Sequence, residues 1–130
     1  FLYEKFGIGN EPKVSVHIDD FDTWSMDHTL AYIIEPMLKQ LKLTKHGAPY
    51  VYPEDVPTEL RPTKKELTAY TKNGDTDSKF FERWDWVMDE MIFAFEKRVE
   101  DTDWQATKEE CERVQNGFRL FGKYYQGLWD

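Results

Sequence analysis

The sequence predicts a mainly α-helical domain, and three observations carry that reading. Apolar residues recur at helical spacing over three long stretches, 26–45, 79–100 and 107–128. Four of the six prolines fall in residues 46–78, where no period holds. Strand-like alternation appears only near the start of the chain. At 130 residues the chain fits one domain, 1–130, able to bury a core without a disulfide or metal.

Residues 13–19 alternate as KVSVHID, which places Val14, Val16 and Ile18 on one side. This segment is expected to be a short strand, with 2–6 as its hairpin partner across Gly7-Ile8-Gly9-Asn10 and the whole hairpin inside 1–20. An isolated hairpin is marginal, so it must pack on helices or on another chain. The first long helix then runs over 26–45. Ser25 is its expected N-cap, Asp27 sits in the first turn, and Gly47 follows as the expected C-terminal cap. Met26, Leu30, Ile33, Ile34, Met37 and Leu41 form its expected buried face, and Pro36 should kink it.

Residues 46–78 read as one long proline-rich loop, its first half pinned by Tyr50, Val51, Tyr52, Val56 and Leu60 and its stretch 63–77 mobile. The helical pair 79–128 follows. In the second long helix, capped by Asp77 or Ser78, the core face is Phe80, Trp84, Val87, Met88, Met91, Phe95 and Val99. In the third, Cys111, Val114, Phe118, Phe121, Tyr125 and Leu128 alternate by three and four, the spacing of a heptad seam. Gly117, Gly122 and Gly127 within it point to close helix approach or to a break near Gly122.

Composition narrows the function. The net charge of −8 disfavours non-specific nucleic-acid binding and anionic membranes, and no charge-free apolar run reaches a membrane span. The lone Cys111 excludes an internal disulfide and a cysteine-cluster zinc site, and suits a reducing cytoplasm. Phe1 in the first position, with no signal peptide after it, reads as a trimmed start. Nine Phe, seven Tyr and five Trp mark a well-packed chain with adhesive surface. Charge is uneven: seven cations against four acids lie between Lys39 and Lys72, inside an otherwise acidic chain. That basic segment is a candidate holder of a small anion, or simply a solvated charge run.

Two constellations are candidates for chemistry. Glu82, Asp85, Asp89 and Glu96 fall within about 60° of one another on the second helix, beside Trp86 and Phe93. A hard cation such as Mg²⁺ wants several oxygens, so Glu82, Asp85 and Asp89 are the alternative metal ligands; a solvated acidic face is the plainer reading. The candidate ligand-binding set is Trp24, His28, Arg83, Trp86, Lys45 and His46, with aromatics to stack and cations to pair. Local packing is the plainer role for His28, and turn-forming or capping the plainer role for Asp19, Asp20, Asp22 and Asp27. Without G-x-S-x-G, a Walker loop or G-x-G-x-x-G, catalysis would rest on carboxylates alone.

Four blocks together carry a resemblance: DTWSMDHTLA over 22–31 with EPMLKQLK over 35–42; KHGAP over 45–49 with EDVP over 54–57; RWDWVMDEMI over 83–92; and QNGFRLFGKYY over 115–125. They resemble a family of small proteins with no assigned activity, encoded by tailed bacteriophages, marine ones among them. The resemblance implies a phage accessory protein acting in the host bacterial cytoplasm, and it supplies no catalytic residues. The expected function is therefore binding without catalysis or cofactor: sequestering a small, nucleotide-like anion or docking on a host protein. The alternatives are a Mg²⁺-dependent all-α nucleoside-phosphate hydrolase and an oligomeric assembly protein. Self-association is expected in any case, from the heptad seam and the hairpin edges.

Overall fold

A computed structural model describes residues 14–100 and 105–130. Five α-helices run along it: α1 (Phe21–Trp24), α2 (Met26–Thr44), α3 (Lys64–Asn73), α4 (Phe80–Glu100) and α5 (Lys108–Lys123). Short 3₁₀ turns lie at Pro53–Asp55, Thr58–Leu60 and Tyr125–Gly127. The mainly helical class and the three long helices stand as expected.

Helix α4 is the centre of the molecule. Its wide apolar face is buried as expected, with Trp84, Val87, Met88 and Met91 fully enclosed. Helix α5 packs antiparallel along one side of it, and α2 antiparallel along another. Gly117 explains how closely α4 and α5 approach: a Cβ there would lie 2.5 Å from the Glu90 carbonyl oxygen and 2.6 Å from Ala94 Cβ. Beside that contact, Arg113 clamps the largely buried Glu90 carboxylate with two hydrogen bonds, of 2.9 and 2.8 Å. Phe95 receives both Phe118 and Phe121 edge-on, with ring centroids 5.1 and 5.0 Å away.

Several expectations are corrected. Residues 1–13 lie outside the described residues, and with them the proposed hairpin partner. Val14 to Asp19 forms no strand: Val14, Val16 and Ile18 are all exposed, so neither side of the alternation is a covered face. Ser25 makes no side-chain cap, and the C-cap of α2 is Lys45 in extended conformation, so Gly47 is not needed there. The helix does continue through Pro36, as its expected span requires.

The long loop is not structureless. Its stretch 63–77 holds α3, opened by a capping box in which the Thr63 hydroxyl accepts from the Glu66 N–H and the Glu66 carboxylate accepts from the Thr63 N–H. Gly74, at φ 74°, closes it in the left-handed conformation. An aromatic run fastens α3 to the body: Tyr50 stacks on Tyr70 at 5.1 Å, and Tyr70 meets Phe80 at 5.5 Å.

The third long helix stops at Lys123, near the break expected at Gly122, and a 3₁₀ turn resets the register. Tyr124 is therefore buried and Tyr125 exposed, while Cys111 lies at the surface. What reads as a heptad seam for another chain is largely the intramolecular face toward α4.

Candidate functional site

The acidic stripe of α4 and the basic stripe of α2 are each other's partners. Lys45 Nζ lies 2.6 Å from Asp85 Oδ1, Lys42 Nζ 2.9 Å from Asp89 Oδ1, and Lys39 Nζ 2.8 Å from Glu96 Oε2. Three lysines spaced i, i+3, i+6 thus ladder onto three carboxylates of the antiparallel helix. Lys39 also pairs with Glu35 of its own helix, and these two carboxylates raise its ammonium pKa well above the lysine value. At the other end Asp27 approaches Arg98 Nε at 3.5 Å, and His28 Nδ1 donates to the Arg98 carbonyl at 2.9 Å. Each such pair is worth little singly at a half-exposed site, but the row fixes the register of α2 on α4.

The predicted ligand-binding residues are divided by this arrangement. Trp24 and His28 sit at the N-terminal end of α2, while Lys45 and His46 lie at its C-terminal end, near Asp85. A 19-residue helix separates those ends by about 28 Å. Trp24 is exposed and meets Phe21 edge-on at 4.7 Å. Lys45 is engaged by Asp85, and His46 Nδ1 lies 2.8 Å from an Asp130 carboxylate oxygen. Trp86 packs against the core, half-buried. Arg83 is buried and holds Asp77 with both terminal nitrogens, one of which also donates to the Leu60 carbonyl at 2.9 Å. That guanidinium keeps the Asp77 carboxyl below the ordinary carboxylate range. Of the alternative Mg²⁺ ligands, Asp85 and Asp89 face lysines and Glu82 is exposed. Among the described residues no group of three His, Cys, Asp or Glu side chains is disposed to hold a metal.

One polar centre escaped sequence reasoning. Asp55, its side chain 2 % exposed, accepts from Tyr124 Oη at 2.6 Å and Arg119 Nη2 at 3.0 Å, with Lys123 Nζ 2.6 Å away. The Tyr124 hydroxyl in turn accepts from the Tyr52 N–H at 2.9 Å. Burial pushes the Asp55 carboxyl up, and the bonds from Lys123, Tyr124 and Arg119 more than offset it, leaving it below the ordinary value. Burial, followed by the Asp55 hydrogen bond, pushes the Tyr124 phenol well above the tyrosine value. The only signal in the sequence is an acid inside the proline-flanked turn Pro53-Glu54-Asp55-Val56-Pro57. Asp55 thus ties the 53–55 turn to the C-terminal end of α5 through Arg119, Lys123 and Tyr124.

Open depressions also lie on the surface of the described residues. One, of about 410 Å³, lies between the C-terminal part of α4 and α5, with Lys97, Arg98, Glu110, Cys111 and Phe118 on its walls. Another, of about 520 Å³, lies over Tyr50, Tyr52, Glu54 and Tyr70.

The remaining feature is the outer surface of α2. The expected buried face is corrected: Ala31 and Leu38 are buried, Ile34 and Leu41 half-buried, while Met26, Leu30, Ile33 and Met37 stand exposed. Every charged side chain of α2, from Asp27 to Lys42, is drawn into the pairs described above. At 100° per residue, roughly half of the helix circumference therefore carries no charge. No helix among the described residues is long and apolar enough to cross a membrane. Comparison of the chain with models of known families, with curated proteins and with solved structures finds no match.

Proposed function

We propose that this chain is a non-catalytic binding protein that docks a protein partner through the charge-free outer face of α2. The setting is the infected bacterium that its resemblance to phage proteins implies. One observation carries the reading: α2 engages all of its charges in ion pairs, within itself or with α4, and leaves Met26, Leu30, Ile33 and Met37 in water. Exposed apolar surface of this continuity marks an interaction site. The small-anion reading is weaker, because Lys39, Lys42, Lys45 and Arg83 already have carboxylate partners. The hydrolase reading is weaker for the same reason, seen from Asp85 and Asp89.

A photo-crosslinking residue at position 33, compared with one at the exposed Glu112 of α5, tests the proposal. A discrete, identifiable protein adduct is expected at 33 and none at 112. Equal labelling at both positions, or Mg²⁺-dependent nucleotide hydrolysis abolished by Asp85→Asn with Asp89→Asn, would overturn it.

A further inference from the structure

We infer that the partner on this face is a second copy of the chain, packed α2 against α2 about a two-fold axis. This inference rests on the docking role proposed above and names its occupant. Met26, Leu30, Ile33 and Met37 step by four, three and four, the interval at which helices mesh side chains along a seam. Their exposures run from 38 % at Leu30 to 64 % at Met37, so the stripe is accessible along its length. In an antiparallel pair centred between Ala31 and Tyr32, Met26 falls opposite the partner's Met37 and Leu30 opposite the partner's Ile33. The stripe is thus complementary to itself, as a two-fold interface requires.

Charge is compatible with the same occupant. The chain carries −8 overall, and a face without like charges is where two copies approach at least cost. The outer half of α2 is such a surface. A nucleic acid or an anionic bilayer would need cations there, and the lysines of α2 point the other way, onto α4.

Area is sufficient as well. Phe21 and Trp24, exposed and in edge-to-face contact with each other, immediately precede the stripe in the chain. With the four α2 side chains they present on the order of 700 Å², close to the ~800 Å² that each partner contributes to a specific interface.

Analytical ultracentrifugation of the purified full chain between 1 and 100 µM is the test. A species of twice the 15.6 kDa chain mass is expected, and Ile33→Glu with Met37→Glu should weaken association by at least about a hundredfold. Both side chains are exposed, so helical circular dichroism and Tm should be retained. As a second measurement that adds no charge to the face, a photo-crosslinker at position 37 should yield a product of twice the chain mass. A wild-type monomer at 100 µM, or a dimer that survives the double substitution, overturns the inference. If position 37 instead crosslinks a different protein while the chain stays monomeric, the dimer fails and the docking role stands. No adduct of either kind removes both.

Discussion

Replacing Asp55 measures how much of the fold hangs on one carboxylate. Asp55→Ala removes the acceptor for the Tyr124 hydroxyl, the Arg119 guanidinium and the Lys123 ammonium together. The tyrosine hydroxyl is enclosed, and leaving such a donor unmatched costs about 1–3 kcal/mol. The two cations are less costly to strand, because Arg119 is half exposed and Lys123 about a third, so each can rehydrate; they contribute up to ~1 kcal/mol each. The total for Asp55→Ala is about 3 kcal/mol. Asp55→Asn keeps the shape and one acceptor and should cost about 2 kcal/mol. With unfolding entropy near 2.1 cal/mol/K per residue, a chain of this length loses roughly 4 °C per kcal/mol, so Asp55→Ala should melt about 10 °C early. Urea denaturation followed by circular dichroism reads the free energies directly, and a cycle with Tyr124→Phe should show about 1–2 kcal/mol of coupling. Glu54→Ala, the exposed neighbour, serves as control within about 0.5 kcal/mol. An Asp55→Ala variant as stable as that control would refute the reasoning.

Other outcomes follow from the same geometry. Asp55 and Asp77 titrate below their ordinary values when folded, so the unfolded chain binds protons more readily; their stability is present above about pH 4 and is lost as pH falls through the folded values. Urea midpoints measured from pH 6 down to pH 3 should therefore fall steeply in the wild type and less so in Asp55→Asn. Gly117→Ala should destabilise by about 1–3 kcal/mol by forcing α5 off α4, whereas Gly122→Ala, where a Cβ meets nothing within 4 Å, should stabilise by about 0.5–1 kcal/mol. Equal effects at the two glycines in thermal melts would contradict the packing described. Thr63→Ala should cost about 1 kcal/mol, seen as faster hydrogen exchange across α3 with α4 unaffected.

The long helices were legible because an apolar period of 3.6 residues, sustained over five turns, is the mark of a helix with one buried side. Helix α3 was hidden because its residues are mostly polar and its signature is terminal: Thr63 with Glu66 at one end and Gly74 at the other. On α2 two apolar stripes compete, and the bulkier one, Met26 to Met37, looked like the core. The core side is instead marked by the small Ala31 and by Leu38. Both members of the Lys–Asp ladder were visible singly, as a basic segment and an acidic stripe. Their pairing was not, since it depends on the antiparallel placement of helices some forty residues apart in sequence. For the same reason the sequence marks Asp55 only as an acid between Pro53 and Pro57.

The strap formed by residues 46–56 also sets an order of events. Its fastenings, Tyr52 to Tyr124, Asp55 to Arg119 and Tyr124, and His46 to Asp130, join positions 64 to 84 residues apart. Closing a loop of that span costs about 4 kcal/mol of chain entropy before any contact compensates. The α4–α5 hairpin, by contrast, needs only a short connection and forms from near neighbours. On the ribosome, residues 46–56 are made long before their anchors at 119–130 exist. Until those anchors emerge the strap has nothing to fasten to, so its native contacts form late in synthesis.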